Sequence, residues 1–312
     1  MKNRRLSEEV LRNNRNGFLF ALPWIIGFIC FSVYPLAASL YYSFTAFNPV
    51  SAPRWIGLEN YRSVWSDPLV FKSLMNTLFI AFVSTPANLL VALLLGAVVT
   101  KKFRFRGVVR TLFFLPSIIP AIAATMVWIW MFDPTYGYIN TVLRWVGIQG
   151  PAWLMDMRYT KAALLLMGTW CTGTAMLICM AALEEVPVSY YESAEMDGVG
   201  PIRKFIFITL PSIAHVLVYQ AILNLINAFQ YFQQVYIITN ASTGAGAGAG
   251  YASGGPGNSI LMYPLYIFHN AFVYLKMGKA SAMAWLLFLI VALLAFLMTK
   301  VSRDITSNAG GE

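Results

Sequence analysis

Apolar residues in this chain are concentrated in six long runs, separated by polar segments. Each run holds 20 or more residues and contains no Asp, Glu or Arg. A helix of that length crosses roughly 30 Å of hydrocarbon at about 1.5 Å per residue. The pattern therefore predicts an all-α integral membrane protein with six transmembrane helices. The predicted spans are Phe18–Phe44, Asn76–Val99, Thr111–Phe132, Ala162–Leu183, Ser212–Thr239 and Ala280–Lys300.

Prolines interrupt three of the predicted spans. A multi-helix bundle tolerates such kinks, because neighbouring helices re-satisfy the freed carbonyl groups. The prolines are Pro23, Pro35, Pro86, Pro116 and Pro120.

Composition agrees with a bilayer environment. The mean hydropathy is +0.63 and only 11% of residues are charged, whereas soluble domains have about a quarter. The net charge of +9 does not indicate nucleic-acid binding, because the bases form short clusters beside the apolar runs. Two clusters of five are Lys2, Arg4, Arg5, Arg12 and Arg15, and Lys101, Lys102, Arg104, Arg106 and Arg110.

The distribution of Lys and Arg predicts the orientation. Cytoplasmic loops are enriched in these residues, and placing both termini in the cytoplasm (N-in/C-in) puts both clusters there. This gives a cytoplasmic N-terminal tail, a transmembrane domain and a cytoplasmic C-terminal tail, at residues 1–17, 18–300 and 301–312. The cytoplasmic loops are then 100–110 and 184–211, and the long extracytoplasmic loops are 45–75, 133–161 and 240–279. We expect the Gly- and Ala-rich stretch 240–259 to be mobile rather than a binding clamp.

The predicted cytoplasmic loop "SYYESAEMDGVGPIRKFIFITLP" has its own local folding signals. Ser189 and Glu192 form a capping-box pattern, which predicts a helix over Tyr190–Asp197. Gly198 suits the left-handed position that ends a helix, and Pro201 suits the first position of a second one. The signals predict a helix, a sharp turn and a helix. This segment is either a lever between two spans or an ordinary capped loop.

This loop resembles the EAA motif of permease subunits of binding-protein-dependent ABC importers. The matching residues are Glu192-Ser193-Ala194, Gly198, and Ile208-Thr209-Leu210-Pro211, with serine as a departure at the second position. "RTLFFLPSIIPAIAATMVW", "WIGLENY", "SGGPGNSI" and "KMGKASAMAWLLFLI" resemble segments of the maltose-type, carbohydrate-uptake branch. The resemblance covers nearly the whole chain and implies a type I importer permease fold in the bacterial cytoplasmic (inner) membrane.

The resemblance also implies a division of labour among subunits. The helix Tyr190–Asp197 would be the coupling helix that docks on a cytoplasmic ATPase subunit, with Glu192 meeting a basic group there and Gly198 setting the turn. Two ATPase subunits would bind ATP and Mg, a second homologous permease would complete the pore, and an extracytoplasmic solute-binding protein would deliver the solute. The expected coupling residues are Tyr191, Glu192, Ser193, Ala194, Asp197 and Gly198.

The chain lacks sequence signatures of catalysis. No G-x-x-x-x-G-K-[ST] phosphate loop occurs, so we expect ATP hydrolysis on another polypeptide. His215 and His269 are isolated, and the three cysteines fall in apolar stretches without disulfide or metal spacing. We therefore expect no enzyme activity, no metal site and no cofactor in this chain.

The fifth predicted span carries a stripe of amides. Gln220, Asn224, Asn227, Tyr231 and Gln234 share one face of an ideal helix at 100° per residue. Such a stripe is costly against lipid, so it faces protein or water. The stripe is either packing through interhelical hydrogen bonds or a sugar path, which the resemblance favours. The expected path residues are Asn224, Asn227, Tyr231, Gln234 and Thr174, with Trp170, Thr172 and Met176 as weaker candidates.

Three other functions compete with a sugar permease. An ion-coupled secondary transporter is disfavoured, because the spans lack acidic residues and inverted repeats. A purely structural subunit would need neither the amide stripe nor the cytoplasmic helix. An ABC importer permease for a non-sugar solute remains the closer alternative.

Overall fold

The computed structural model describes residues 16–101, 103–242 and 254–309, which are mostly helical. The predicted tail 1–17 and the Gly- and Ala-rich loop 240–259 lie largely outside these residues. The described chain forms two compact units. The first contains residues up to Ser66 together with Asn270–Trp285, and the second contains Asp67–His269 and the residues from Leu286 onward.

The first unit begins with helix α1 (Asn16–Ser43). It contains a π-helical turn at Ile29–Val33, directly before Pro35. The proline ring would clash with the carbonyl of Phe31 in a regular α-helix, and the wider turn accommodates the ring. Pro35 therefore changes the local winding without ending the helix.

A β-hairpin follows α1, so the prediction of an all-α chain is wrong here. Strands β1 (Thr45–Asn48) and β2 (Ser51–Trp55) pair antiparallel. The side chain of Asn48 accepts the backbone N–H groups of Val50 (3.0 Å) and Ser51 (2.7 Å), which stabilises the turn between the strands. The turn residues show no hydrophobic periodicity. The pattern of apolar runs therefore predicted a loop for this segment.

Helix α2 (Glu59–Trp65) is fixed to the hairpin by one buried amide. The Nδ2 atom of Asn60 donates to the carbonyl oxygens of Ser43 (2.9 Å) and Thr45 (2.8 Å). A Cβ at Gly278 would lie 2.1 Å from the Thr45 oxygen. Glycine is therefore required where this part of the chain approaches the strand.

Eleven further helices belong to the second unit, and a last one runs through both units. They are α3 (Pro68–Thr100), α4 (Arg106–Ile118), α5 (Ala121–Met131), α6 (Tyr138–Trp145), α7 (Thr160–Trp170), α8 (Gly173–Glu185), α9 (Val188–Met196), α10 (Pro201–Ser212), α11 (Ala214–Phe229), α12 (Gln233–Ser242), α13 (Tyr263–Phe268) and α14 (Met277–Ala309). The last helix continues into the segment predicted as the tail 301–312.

Helix α3 is the longest uninterrupted helix of the second unit, at 33 residues. The side chain of Asp67 caps it by accepting the N–H of Leu69 (2.9 Å), and Pro68 occupies its first position. The predicted interruption at Pro86 is wrong, because the helix continues through this proline. Pro86 removes only one intrahelical bond, and the turns on both sides of it remain.

Two of the six predicted spans, Thr111–Phe132 and Ala162–Leu183, are bent pairs of helices rather than single rods, and the fifth meets α10, in the predicted loop 184–211, at a third bend. The bends are 99° between α4 and α5, 52° between α7 and α8, and 69° where α10 meets the segment Ala214–Ala241. Pro116 and Pro120 explain the first bend, and Pro211 precedes the third. The described residues therefore contain three helices long and apolar enough to span a membrane, and up to six crossings if each bent pair is one span.

The bend between α7 and α8 has no proline and lies at a close approach to α4. A Cβ at Gly173 would lie 2.7 Å from the oxygen of Phe113 and 2.8 Å from Cα of Phe114. Only glycine allows the start of α8 to approach α4 this closely. Helix α8 also packs on α3 at Gly96, where a Cβ would lie 3.2 Å from the backbone nitrogen of Met180. Small residues at such contacts are typical of membrane helix bundles.

Candidate functional site

The loop between α8 and α11 folds into two helices with a glycine turn between them. The N–H of Val199 donates to the oxygen of Ala194 (2.9 Å), and the N–H of Gly198 donates to that of Glu195 (3.0 Å). These two bonds form a Schellman motif, which requires a left-handed residue, and Gly198 has a φ of 70°. Pro201 occupies the first position of α10. The predicted helix–turn–helix is confirmed, as are the conformational roles of the glycine and the proline.

The predicted capping box is wrong. Helix α9 begins at Val188 with Pro187 at its N-cap, and no side chain caps it. Ser189 therefore lies inside the first turn. Pro187 has φ −59° and ψ 132°, so the extended chain enters the helix before Ser189 is reached, and the proline signal prevails over the serine signal.

Two polar contacts join α9 to α10. The hydroxyl of Tyr191 is 2.9 Å from the Thr209 hydroxyl, and the ammonium of Lys204 donates to the Glu195 carboxylate at 2.7 Å. The ion pair is partly exposed and contributes about 1 kcal/mol or less. The tyrosine contact is less exposed, because Tyr191 packs on an apolar cluster beneath the loop. The cluster contains Leu93, Ala182, Val186 and Ile213.

The sequence-predicted coupling residues divide into an outer and an inner set. Glu192, Ser193, Asp197 and Gly198 are exposed, whereas Tyr191 is half-buried and Ala194 is buried. The outer set can contact another protein, and the inner set fixes the helix to its own chain.

The outer surface of the loop also carries apolar side chains that the motif did not indicate. Val188, Tyr190 and Met196 are exposed, Met196 to 90%. Their spacing gives no amphipathic pattern, so only the structure distinguishes them from core residues.

The second unit contains a cavity of about 620 Å³, lined by α3, α4, α5, α7, α8, α11 and α12. Within the described part of the chain, none of its lining residues carries a formal charge. The polar lining residues are Ser84, Asn88, Ser117, Thr125, Thr172, Thr174, Gln220, Asn224, Asn227, Gln230, Tyr231, Gln233 and Gln234, and the aromatic ring of Trp128 joins them.

All five residues predicted for the substrate path line this cavity. The prediction that the stripe lies on one continuous helix is only partly confirmed. Helix α11 ends at Phe229 and α12 begins at Gln233. Tyr231 therefore lies in the break between two helices, and the amide face is continued by that break. Of the weaker candidates, Thr172 lines the cavity. Met176 is fully buried in another cluster, and Trp170 contacts Trp128 edge to face at 5.8 Å.

The second and third predicted spans also line the cavity, which their sequences did not predict. Ser84 and Asn88 on α3, and Thr125 and Trp128 on α5, line the cavity together with the amides. Ser84 and Asn88 are four residues apart, one helical turn. This spacing is a weak signal, because isolated polar residues in apolar helices also serve packing.

Several polar atoms at the cavity lack a hydrogen-bond partner among the described residues. They are buried, and a buried polar atom left unpaired costs about 1–3 kcal/mol. The atoms are Asn88 Oδ1, Gln220 Nε2, Asn224 Nδ2 and the Tyr231 hydroxyl. These atoms are shielded in the present side-chain conformations, and rotation of the side chains that line the cavity would expose them to water or to a polar ligand.

The loop and the cavity share two structural elements. Helix α8 contributes Thr174 and Ile178 to the cavity and ends at Glu185, two residues before Pro187. Helix α11 contributes Gln220 and Asn224 and directly follows α10. The loop is therefore continuous in the chain with two of the helices that line the cavity. The described residues contain no group of three His, Cys, Asp or Glu that could hold a metal ion.

The helical arrangement is that of type I ABC importer permeases. A solved bacterial ABC transporter involved in the import of the acidic polysaccharide alginate has a chain with a TM-score of 0.81 to this one, covering 97% of this chain and 99% of that chain at 19% identity. Because the sequence identity is low, this similarity establishes the fold alone.

The chain belongs to the family of binding-protein-dependent transport system inner membrane components, whose model matches residues 88–307. It is similar to the probable ABC transporter permease protein YesP of Bacillus subtilis (strain 168), with 36% identity over 95% of this chain and 93% of that protein. It is also similar to the lactose transport system permease protein LacF of Rhizobium radiobacter, with 31% identity over 93% of this chain and 94% of that protein. The chain is therefore a multi-pass membrane permease of an ABC importer.

Proposed function

We propose that this permease translocates a sugar or oligosaccharide through the cavity of its second unit. The observation that carries this proposal is the uncharged polar lining with buried atoms that lack partners. Amides donate and accept hydrogen bonds, which matches the hydroxyl groups of a sugar. A sugar in the cavity would satisfy these atoms and relieve the cost of leaving them unpaired. The similarity to a lactose transport permease supports the same class of solute.

An aromatic wall supports a sugar further. Trp128 stacks on Phe132 at 5.1 Å and meets Trp170 edge to face. These contacts restrict the indole ring, because aromatic pairs prefer such geometries. A fixed indole ring offers an apolar surface to the C–H face of a sugar.

The proposed topology has six crossings of the bacterial inner membrane, with both termini in the cytoplasm. The basic residues around the junction of α3 and α4, which include Arg104 between the two helices and Arg110 within α4, support it through the enrichment of cytoplasmic loops in Lys and Arg. Each bent pair then counts as one span. This orientation places α9 in the cytoplasm, where an ATPase subunit can reach it.

We propose that α9 is the coupling helix. Glu192, Ser193, Asp197 and Gly198 form its polar contact surface for the ATPase, and the exposed Met196 adds an apolar contact. Tyr191 and Ala194 hold the helix on the permease. Two ATPase subunits bind ATP and Mg, a second homologous permease faces this one, and an extracytoplasmic binding protein delivers the sugar. ATP-driven closure of the ATPase pair would displace α9 and, through α8 and α11, rearrange the cavity walls.

The experiment replaces two cavity residues in the complete importer, reconstituted in liposomes with its binding protein. We expect Asn227→Leu with Tyr231→Ala to lower sugar uptake about tenfold, equivalent to ~1.4 kcal/mol, while the binding protein still stimulates ATP hydrolysis. Asn240→Leu is the matched control, because Asn240 is an exposed amide outside the cavity lining. Normal uptake by the double variant would assign the amides to helix packing instead.

A further inference from the structure

Helix α6 is attached to the protein by its polar side. Asn140, the third residue of the helix, is buried. Its Nδ2 atom donates to the oxygens of Pro134 (3.2 Å) and Pro151 (3.1 Å), and its Oδ1 atom accepts from Nε1 of Trp153 at 2.7 Å. A Cβ at Gly150 would lie 2.1 Å from Oδ1 of Asn140. These groups therefore enclose the Asn140 side chain, and its hydrogen bonds fix the orientation of α6.

The opposite side of α6 is apolar and exposed. Tyr138, Val142 and Trp145 are spaced by four and three residues and so share one face. Tyr138 is 63% exposed and Trp145 is 77% exposed, and Val146 extends the same face. This helix thus buries its amide and exposes its aromatic side chains, the reverse of a helix at the surface of a soluble protein.

The position of α6 in the chain indicates which medium covers this face. The helix begins seven residues after Met131, the end of the span helix α5, and packs against that helix. Exposed apolar side chains continue from the end of the span, at Trp130, through Tyr136 to Tyr138. Trp and Tyr concentrate where a bilayer meets water, because one part of the ring is apolar and another is polar.

Two charged groups near α6 make hydrogen bonds to the segment that precedes this helix. The carboxylate of Asp133 accepts the backbone N–H groups of Tyr136 and Thr135, both at 2.8 Å. These bonds, with that from Tyr136 the larger contribution, lower the pKa of Asp133 and keep it ionised, so it stays in contact with water. The guanidinium of Arg144 donates to the Thr135 oxygen at 3.1 Å, away from the Tyr138–Trp145 face.

We infer that the Tyr138–Val142–Trp145 face of α6 lies in the interfacial layer of the bilayer, at the membrane surface where α5 ends. The aromatic side chains are immersed among lipid headgroups and upper acyl chains, as in interfacial amphipathic helices. The buried Asn140 holds the helix parallel to this layer. The bond from Trp153 extends this support to the segment before α7. Contact between α6 and the lipid therefore supports the bent span α4–α5, whose residues Thr125 and Trp128 line the cavity.

Spin-label accessibility tests this inference on the complete importer in nanodiscs. Cys30, Cys171 and Cys179 are replaced by serine, and single labels are introduced through Val142→Cys and Trp145→Cys. Arg144→Cys on the same helix is the matched control. We expect severalfold more collisions with oxygen than with a water-soluble nickel chelate at the two apolar positions, and the reverse at the control.

Two other outcomes overturn the inference. Equal exposure of all three labels to the nickel chelate would place the face in water. Immobilised labels at Val142→Cys and Trp145→Cys that are inaccessible to both reagents would show that a protein partner covers the face. Neither outcome depends on the identity of the transported solute, so the proposed function is tested separately.

Discussion

The loop α9–α10 and the cavity are two polar regions of one apolar chain, and they differ in how they are built. The loop is made by neighbours in sequence: Gly198 and Pro201 lie within a few residues of the helices they end and begin. The cavity is made by seven helices from four regions of the chain: α3, α4–α5, α7–α8 and α11–α12. The loop also uses hydrogen-bonding groups internally, as in the Lys204–Glu195 pair, whereas four buried atoms of residues that line the cavity have no partner in the described part of the chain.

This difference fits the functions proposed for the two regions. A region that satisfies its own polar groups is rigid and can transmit force. A region that leaves polar groups unpaired is less stable and can take up a ligand that pairs them, at a cost typical of functional sites. Changes in the loop should therefore affect transport of every solute, and changes in the cavity should affect selected solutes.

The largest expected effect is at the outer surface of the loop. Glu192→Lys reverses an exposed charge without disturbing the contacts that hold α9, and we expect at least about a tenfold loss of uptake, ~1.4 kcal/mol. The complex should insert normally but fail to couple ATP hydrolysis to uptake, measured together in proteoliposomes. Glu185→Lys reverses the charge of an exposed acid outside α9 and is the control. Equal loss in both variants would contradict a specific role for Glu192.

A smaller effect is expected from the turn itself. Gly198→Val places a β-branched residue at φ 70°, which costs about 1–2 kcal/mol and weakens the Schellman motif. Uptake and thermal stability should both decrease. Gly200→Val provides the control: Gly200 has φ −70° and ψ 161°, and a Cβ has open space at both positions. If the two variants behave alike, the left-handed turn is not required for coupling.

The smallest change is expected in the cavity, where stability and transport should move in opposite directions. Gln220→Met removes the unpaired Nε2 atom at similar side-chain volume. We expect the empty importer to become more stable by about 1 kcal/mol, seen as a higher midpoint of thermal unfolding, while sugar uptake falls. Gln233→Met, at an exposed position of the lining, should leave the midpoint unchanged. A lower midpoint for Gln220→Met would show that the amide already has a structural partner.

Sequence alone determined the features that depend on near neighbours or on the bilayer. Apolar runs fixed the approximate positions of the membrane helices, because a span needs a minimum length of apolar residues. Gly198 and Pro201 fixed the turn of the loop, because each has restricted or special backbone preferences. The error at Ser189 arose between two competing local signals, and Pro187 prevailed.

Tertiary structure decided the features that depend on distant contacts. Asn88 and Trp128 reach the cavity only because the bent and straight spans pack around it. The bend before Gly173 lies where the backbone closely approaches Phe113, a contact that no local pattern encodes. Asn140 is buried while Trp145 is exposed, since bonds from a later segment fix the rotation of α6. Hydrophobic periodicity indicates that a helix has an apolar face, and only packing decides whether protein or lipid covers that face.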